Sequence, residues 1–212
     1  IMGRKANSND IFRIMGASSH CKDEREEHDY YATHPKAVEM LLELEKFDKN
    51  ILEPCCGEGH ISNVLEQHGH TVTSFDLIDR GYGTGGIDFL KYDVPFDGDI
   101  VTNPPYEMAQ DFVEHAMDIV TDGHKIAMFL KLTFLEGNRR REMYRKYPPK
   151  VVYVSSDRLA CGKNGDFYKR NEDGTIKTDS KGNPVEIGSA VCYCWYVWEK
   201  GYKGDTIVKH FN

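Results

Sequence analysis

A chain of 212 residues, 40% hydrophobic and 29% charged, matches the size of one domain and can bury a full core without disulfides or a structural metal. Its apolar runs fall short of a membrane span, and residues 1–28 lack the apolar centre of a secretion signal, so a cytoplasmic protein without membrane contact is expected. The net charge of −7 is unevenly spread: residues 1–124 carry 10 Lys/Arg against 24 Asp/Glu, whereas residues 125–170 carry 12 against 4, which leaves room for a polyanionic partner on one surface.

Residues 1–28 show no sustained period and are read as a mobile arm, with 29–212 as the single domain. A zinc site from His20, Cys21 and His28 lacks a second correctly spaced pair, so no metal is expected. The adjacent Cys55 and Cys56, and the alternating Cys192 and Cys194, do not form a secreted disulfide framework. A helix is predicted to begin from residues 29–35, with Thr33 or His34 near its cap, Pro35 in its first turn, and Ala37, Met40, Leu41, Leu44 and Phe47 on one face.

Residues 50–53 read as a strand and 61–67 as a helix. The loop between them, Pro54-Cys55-Cys56-Gly57-Glu58-Gly59, has two glycines that allow positive φ and close approach to a ligand. It departs from the dinucleotide fingerprint, because Ser62 stands at the third glycine position and the preceding strand ends in Glu53, an acid suited to an ammonium or sulfonium charge. The next strand, 71–76, ends in Asp76, at the spacing where a βαβ unit offers a carboxylate to ribose hydroxyls. After the glycine-rich run 81–86, Asp88 could accept from an adenine amino group while Phe89 packs on its ring.

Residues 99–102 form a short apolar strand that leads into Asn103-Pro104-Pro105-Tyr106. Pro104 cannot continue a sheet ladder, so this turn sits at the C-terminal strand edge, where ligands bind in open α/β sheets. The Asn103 side-chain oxygen and the Pro104 carbonyl can each accept one hydrogen of an exocyclic amine, which localises its lone pair on nitrogen. Pro105 fixes the turn and Tyr106 offers a stacking face. The bland alternative is a plain Pro-Pro turn closing a strand.

Downstream, 108–120 reads as a helix, 125–132 as a buried strand and 135–146 as a basic helix, with 151–154 and 190–198 as two last strands. The polar stretch 160–189 between them is read as an insertion with a recognition role. Alternating strands and helices imply a largely parallel sheet. The basic candidates for phosphate contact are Arg139, Arg140, Arg141, Arg158, Lys163, Lys169 and Arg170.

Taken together, Tyr31-Ala32-Thr33-His34-Pro35, Leu52 to Gly59, Asp88-Phe89-Leu90 and Asn103-Pro104-Pro105-Tyr106 resemble the S-adenosylmethionine-dependent adenine methyltransferases of DNA, in their small phage and prophage form. Phe134-Leu135-Glu136-Gly137 and Trp198-Glu199-Lys200-Gly201-Tyr202 carry the same resemblance. It implies an α/β Rossmann-like class I methyltransferase with a largely parallel seven-stranded sheet, helices on both faces and an antiparallel last strand. It also implies that Tyr31 and Thr33 border the methionine end of S-adenosylmethionine, with Glu53, Pro54, Cys55, Gly57 and Gly59 lining it. Asp76 would bind the ribose, with Leu77 beside it, and Ile78 would pack on the adenine near Asp88 and Phe89. Asn103, Pro104 and Tyr106 would hold a flipped adenine of DNA, with Asn103 also touching the cofactor. The chain departs in having His34 where many members carry Pro, and in leaving no room for an appended recognition domain. The same clamp fits an RNA adenine, a cytosine amino group or a protein glutamine amide; a non-catalytic nucleic-acid-binding module and a dinucleotide oxidoreductase are rivals from other classes.

Overall fold

The computed structural model describes residues 31–156, 161–163, 165–189 and 191–211. The arm at 1–28, with His20, Cys21 and His28, and Arg158 lie outside them. In chain order the elements are β1 (Tyr31–Thr33), α1 (Pro35–Leu44), β2 (Asn50–Glu53), α2 (His60–Gln67), β3 (Thr71–Ser74), β4 (Asp99–Thr102), α3 (Ala109–Ile119) and β5 (Lys125–Lys131). They continue with α4 (Arg141–Lys146), β6 (Val151–Ser155), β7 (Cys161–Lys163), β8 (Tyr193–Glu199) and β9 (Ile207–Phe211). One seven-stranded sheet runs β3-β2-β4-β5-β8-β6-β9, and β1 pairs with β7 in a separate two-stranded sheet. Within the large sheet β8 alone is antiparallel to its neighbours.

The central strands read as unbroken apolar runs because both of their faces are covered. Ile126, Met128 and Leu130 of β5 join Phe112, Val113 and Ala116 of α3 on one face. Ala127 and Phe129 join Val38 and Leu41 of α1 and Ile61 and Leu65 of α2 on the other. β8 divides the same way, with Trp198 on the first face and Trp195 on the second, both fully buried. Each indole finds an acceptor: Trp195 Nε1 donates to the Ala37 carbonyl at 2.7 Å and Trp198 Nε1 to that of Tyr147 at 3.2 Å. Burial of a large aromatic side chain contributes roughly 1.5–3 kcal/mol, so β8 anchors α1 to the sheet.

The first helix opens as expected, with His34 as its N-cap and Pro35 in its first turn, and residues 31–33 ahead of it form a strand. Three local expectations are corrected. The first helix stops at Leu44, leaving Phe47 beyond it, because Glu45 turns to the sheet: its carboxylate accepts from Lys125 Nζ at 2.7 Å and from the Tyr153 hydroxyl at 2.6 Å. The basic stretch 135–146 is not one helix. It is a 3₁₀ turn over Leu132–Leu135, a second over Asn138–Arg140 and then α4, divided by Gly137 at φ +112. Finally, the antiparallel strand is followed by one more strand, β9, which runs parallel to β6 at the edge.

The polar insertion has its own order. Lys169 N–H donates to the Val185 carbonyl, Val185 to Lys177 and Lys177 to Lys169, closing three short segments into a ring of backbone bonds. Tight turns at Gly174 and Gly182, both at positive φ, join the segments. Phe167, at its base, packs against His34 and His60 with ring centroids 4.7 and 5.5 Å apart.

Candidate active site

The C-terminal edge of the parallel strands opens on a cavity of about 360 Å³, within the range of small-molecule sites. Its wall is built from β1 (Tyr31, Thr33), the end of β2 (Glu53, Pro54, Cys55, Cys56), the start of α2 (His60, Ile61) and the loop after β3 (Asp76, Leu77, Ile78, Arg80). Ile87, Asp88, Phe89, Asn103, Pro105, Glu107, Met108 and Phe112 complete it.

Glu53 is 1% exposed and accepts a hydrogen bond from the Ser62 hydroxyl, which also meets Ser74 Oγ at 2.7 Å. Burial holds its carboxyl protonated well above the usual carboxylate range. A cation entering the cavity would reverse that preference. Asp76 ties the loop together: Oδ2 accepts from Gly57 N–H at 2.9 Å, and Oδ1 from Ile78 N–H at 2.9 Å and from Arg80 at 3.4 Å. Oδ2, with one donor, has a second lone pair for a hydroxyl. Asp88 caps the turn Phe89–Lys91 through Leu90 N–H and pairs with Lys91 at 2.9 Å, which holds its carboxyl below the usual range.

Asn103 begins the turn after β4. Its Nδ2 donates to the Tyr31 carbonyl at 2.8 Å, which fixes the amide orientation, because a carbonyl can take only the NH₂ end. Oδ1 is therefore the remaining atom, and it is buried with no partner. The Thr33 hydroxyl is likewise buried without one. Buried orphan acceptors and donors cost about 1–3 kcal/mol each and are rare, so two on one cavity mark a place for a ligand.

On the other side of the turn lies a second cavity of about 300 Å³, lined by Tyr106, Leu130, Lys131, Thr133, Phe134, Arg140, Val191 and Tyr193. Tyr31 and Glu107 line both cavities. The Tyr106 ring lies 6.3 Å from that of Tyr31 and 5.6 Å from that of Tyr193, its hydroxyl is 3.1 Å from Cys161 Sγ, and burial keeps the phenol protonated.

No protein-family model and no curated protein matches this sequence. Solved structures match by shape. A Lactococcus lactis protein provisionally described as a hemolysin is 12% identical at a TM-score of 0.55, over 82% of this chain and 91% of its own. A Pyrococcus horikoshii protein provisionally described as an RNA methyltransferase is 13% identical at 0.52, over 92% and 99%. A Listeria monocytogenes protein provisionally described as a class I S-adenosylmethionine-dependent methyltransferase is 14% identical at 0.51, over 84% of this chain; the chain spans 64% of that protein's length. The fold is that of the class I methyltransferases.

Within this class I methyltransferase fold, the expected residues separate into those on a cavity wall and those behind it. Tyr31, Thr33, Glu53, Pro54, Cys55, Asp76, Leu77, Ile78, Asp88, Phe89, Asn103 and Pro105 line the first cavity, and Tyr106 the second. Gly57, Gly59 and Pro104 line neither. Gly59 caps α2 at φ +83, and a Cβ there would meet the Tyr82 ring at 2.6 Å, so its bare Cα is required by internal packing. Arg139 and Arg141 are exposed and line neither cavity. Arg140 instead donates to the carbonyls of Phe134, Thr133 and Glu136, which holds the turn. Arg170 pairs with Asp166 at 2.8 Å, Lys169 is exposed, and Lys163 lies on β7. Sequence reasoning missed Arg80, His60 and Met108 in the first cavity and Lys131, Phe134 and Tyr193 in the second. Lys131 had a readable signal, a charge ending an apolar strand at the ligand-binding edge. Among the described residues, no helix is long and apolar enough to cross a membrane, and no cluster of three or more His, Cys, Asp or Glu could hold a metal.

Proposed function

We propose that the protein is an S-adenosylmethionine-dependent methyltransferase that methylates an exocyclic amino group of a nucleobase, with the 6-amino group of adenine in DNA as first acceptor. The observation that carries this reading is the buried, unpartnered Asn103 Oδ1, on a turn with one cavity on each side. The first cavity fits the cofactor. Glu53 offers a buried carboxyl to a cation, Asp76 Oδ2 has a lone pair for a ribose hydroxyl, Thr33 has an orphan hydroxyl, and Ile78 and Phe89 give apolar wall. When bound, the cofactor supplies an electrophilic methyl group on a sulfonium.

The chain's own residues prepare the acceptor. Asn103 Oδ1 takes one amino hydrogen and the Pro104 carbonyl the other, pulling the nitrogen lone pair out of the ring system. Tyr106 provides a stacking face whose protonated phenol leaves the ring uncharged. Stacking of this kind contributes roughly 1–3 kcal/mol per base, comparable with the few kcal/mol needed to flip a base from a duplex. RNA is the second reading, favoured by the Pyrococcus horikoshii protein, which matches over nearly its whole length.

The test is transfer of labelled methyl from S-adenosylmethionine to unmethylated duplex DNA, single-stranded DNA and RNA in parallel, followed by nucleoside analysis. Label in 6-methyladenine from DNA supports the first reading, and label in RNA alone replaces it with the second. Absence of label from all three, with the cofactor bound, overturns the activity.

A further inference from the structure

The second cavity contains an ammonium that the acceptor clamp does not use. Lys131 ends β5 at the same sheet edge as Asn103, opposite Tyr193 in the β5–β8 register. Its Nζ sits 4.7 Å from the centroid of the Tyr106 ring. It is half-buried, and among the described residues it forms no ion pair. The other basic groups nearby divide in two. Arg140 is committed to backbone carbonyls and Arg145 to Glu142, whereas Arg139 and Arg141 stand exposed on the turn without a carboxylate among the described residues. An unpaired ammonium on the wall of an aromatic cavity, with Arg139 and Arg141 exposed on either side in sequence of the wall residue Arg140, calls for an anion on the ligand.

We propose that Lys131 binds a backbone phosphate beside the flipped nucleotide, which makes it a specificity-determining residue that selects a polyanionic acceptor over a glutamine side chain. This rests on the nucleobase reading above. A base on Tyr106 brings its own diester linkages into the cavity mouth. The ring face that the ammonium covers in the free protein is the kind of surface a base takes, and the displaced ammonium then meets the phosphate as a point charge, the usual role of lysine in such sites.

Binding of a fluorescent single-stranded oligothymidylate bearing one adenine tests this, with affinity measured across a salt series for wild type, Lys131→Gln and Lys131→Arg. A lost phosphate contact lowers the slope of log affinity against log salt by about 0.7 for single strands. The glutamine variant should show that drop and the arginine variant should restore the slope. An unchanged slope in Lys131→Gln overturns the proposal. No binding by wild type, to this probe or to its RNA counterpart, overturns the nucleobase reading instead. Single methylphosphonate linkages keep the test open if the variants do not fold: neutralising one linkage beside the adenine should weaken wild-type binding, and indifference at every linkage within two of it would sink the idea.

Discussion

Glu53, held by the Ser62 hydroxyl, carries a stability cost that bears on its proposed binding role. Burial raises the folded-state pKa of Glu53 above that of the unfolded chain. The protonated carboxyl therefore contributes its stability in full below the unfolded value of about 4.3, and that contribution is lost as pH rises through the folded pKa. Glu53→Gln removes this loss without changing shape. In thermal unfolding without cofactor, the variant should gain on wild type as pH rises from 4 towards 9, each kcal/mol appearing as about 2–4 °C at this chain length. The rise in unfolding temperature on adding S-adenosylmethionine should be smaller in the variant. Parallel melting curves across pH, with equal cofactor shifts, would remove Glu53 from the site. The Ser62 hydroxyl, read from sequence only as a missing third glycine, has a role in the structure as the donor to this carboxyl.

At the scale of elements, strands were legible where both faces are covered. Residues 50–53, 99–102 and 125–131 are short apolar runs at the C-terminal edge, and the Asn-Pro-Pro-Tyr turn follows from them by spacing. β9 was not legible, because Ile207 and Val208 stay half-exposed and no burial pattern distinguishes the strand from a loop. β1 and β7 are three residues each and depend on a pairing between residues more than a hundred apart, such as Tyr31 with Lys163. The 135–146 helix failed at Gly137, where the left-handed backbone interrupts a pattern that charge and periodicity alone carry through. The glycine loop was legible in shape, with Gly57 and Gly59 both at positive φ. Gly59→Ala combines a positive φ with a contact on Tyr82 that the ring must vacate, and should destabilise the protein by at least about 1 kcal/mol, read as a lower midpoint in urea. Phe167→Ala should release the 165–189 insertion from His34 and His60. Faster amide exchange across the insertion and a several-fold loss of cofactor affinity through His60 are the expected readouts, and unchanged exchange would show that Phe167 does not hold the insertion down.

At the scale of the whole molecule, the architecture puts two cavities on one sheet edge and one turn between them. The +8 segment at 125–170 resolves into groups with different roles: Lys150 holds the fold against Glu199, Arg140 holds its turn while lining the second cavity, Lys131 lines that cavity too, and Arg139 and Arg141 are exposed on either side of Arg140 in sequence. A charge count could locate the surface but not sort its members, because sorting requires the partners brought in from distant strands. The first cavity, the proposed cofactor site, was largely legible, since its residues follow strand ends in order. In the second cavity Tyr31, Tyr106 and Arg140 were legible, whereas Leu130, Lys131, Thr133, Phe134, Val191 and Tyr193 come from β5, β8 and the segments beside them.

The central claim is that the Asn103 oxygen prepares the acceptor amine. It is tested most directly by single-turnover methyl transfer at saturating S-adenosylmethionine, with wild type and Asn103→Ala side by side and cofactor binding measured on both. A loss of transfer rate on the order of 10²–10³, by analogy with removal of a preorganised hydrogen-bonding partner, with cofactor affinity changed by much less, is the predicted result. Transfer at the wild-type rate by Asn103→Ala would contradict it.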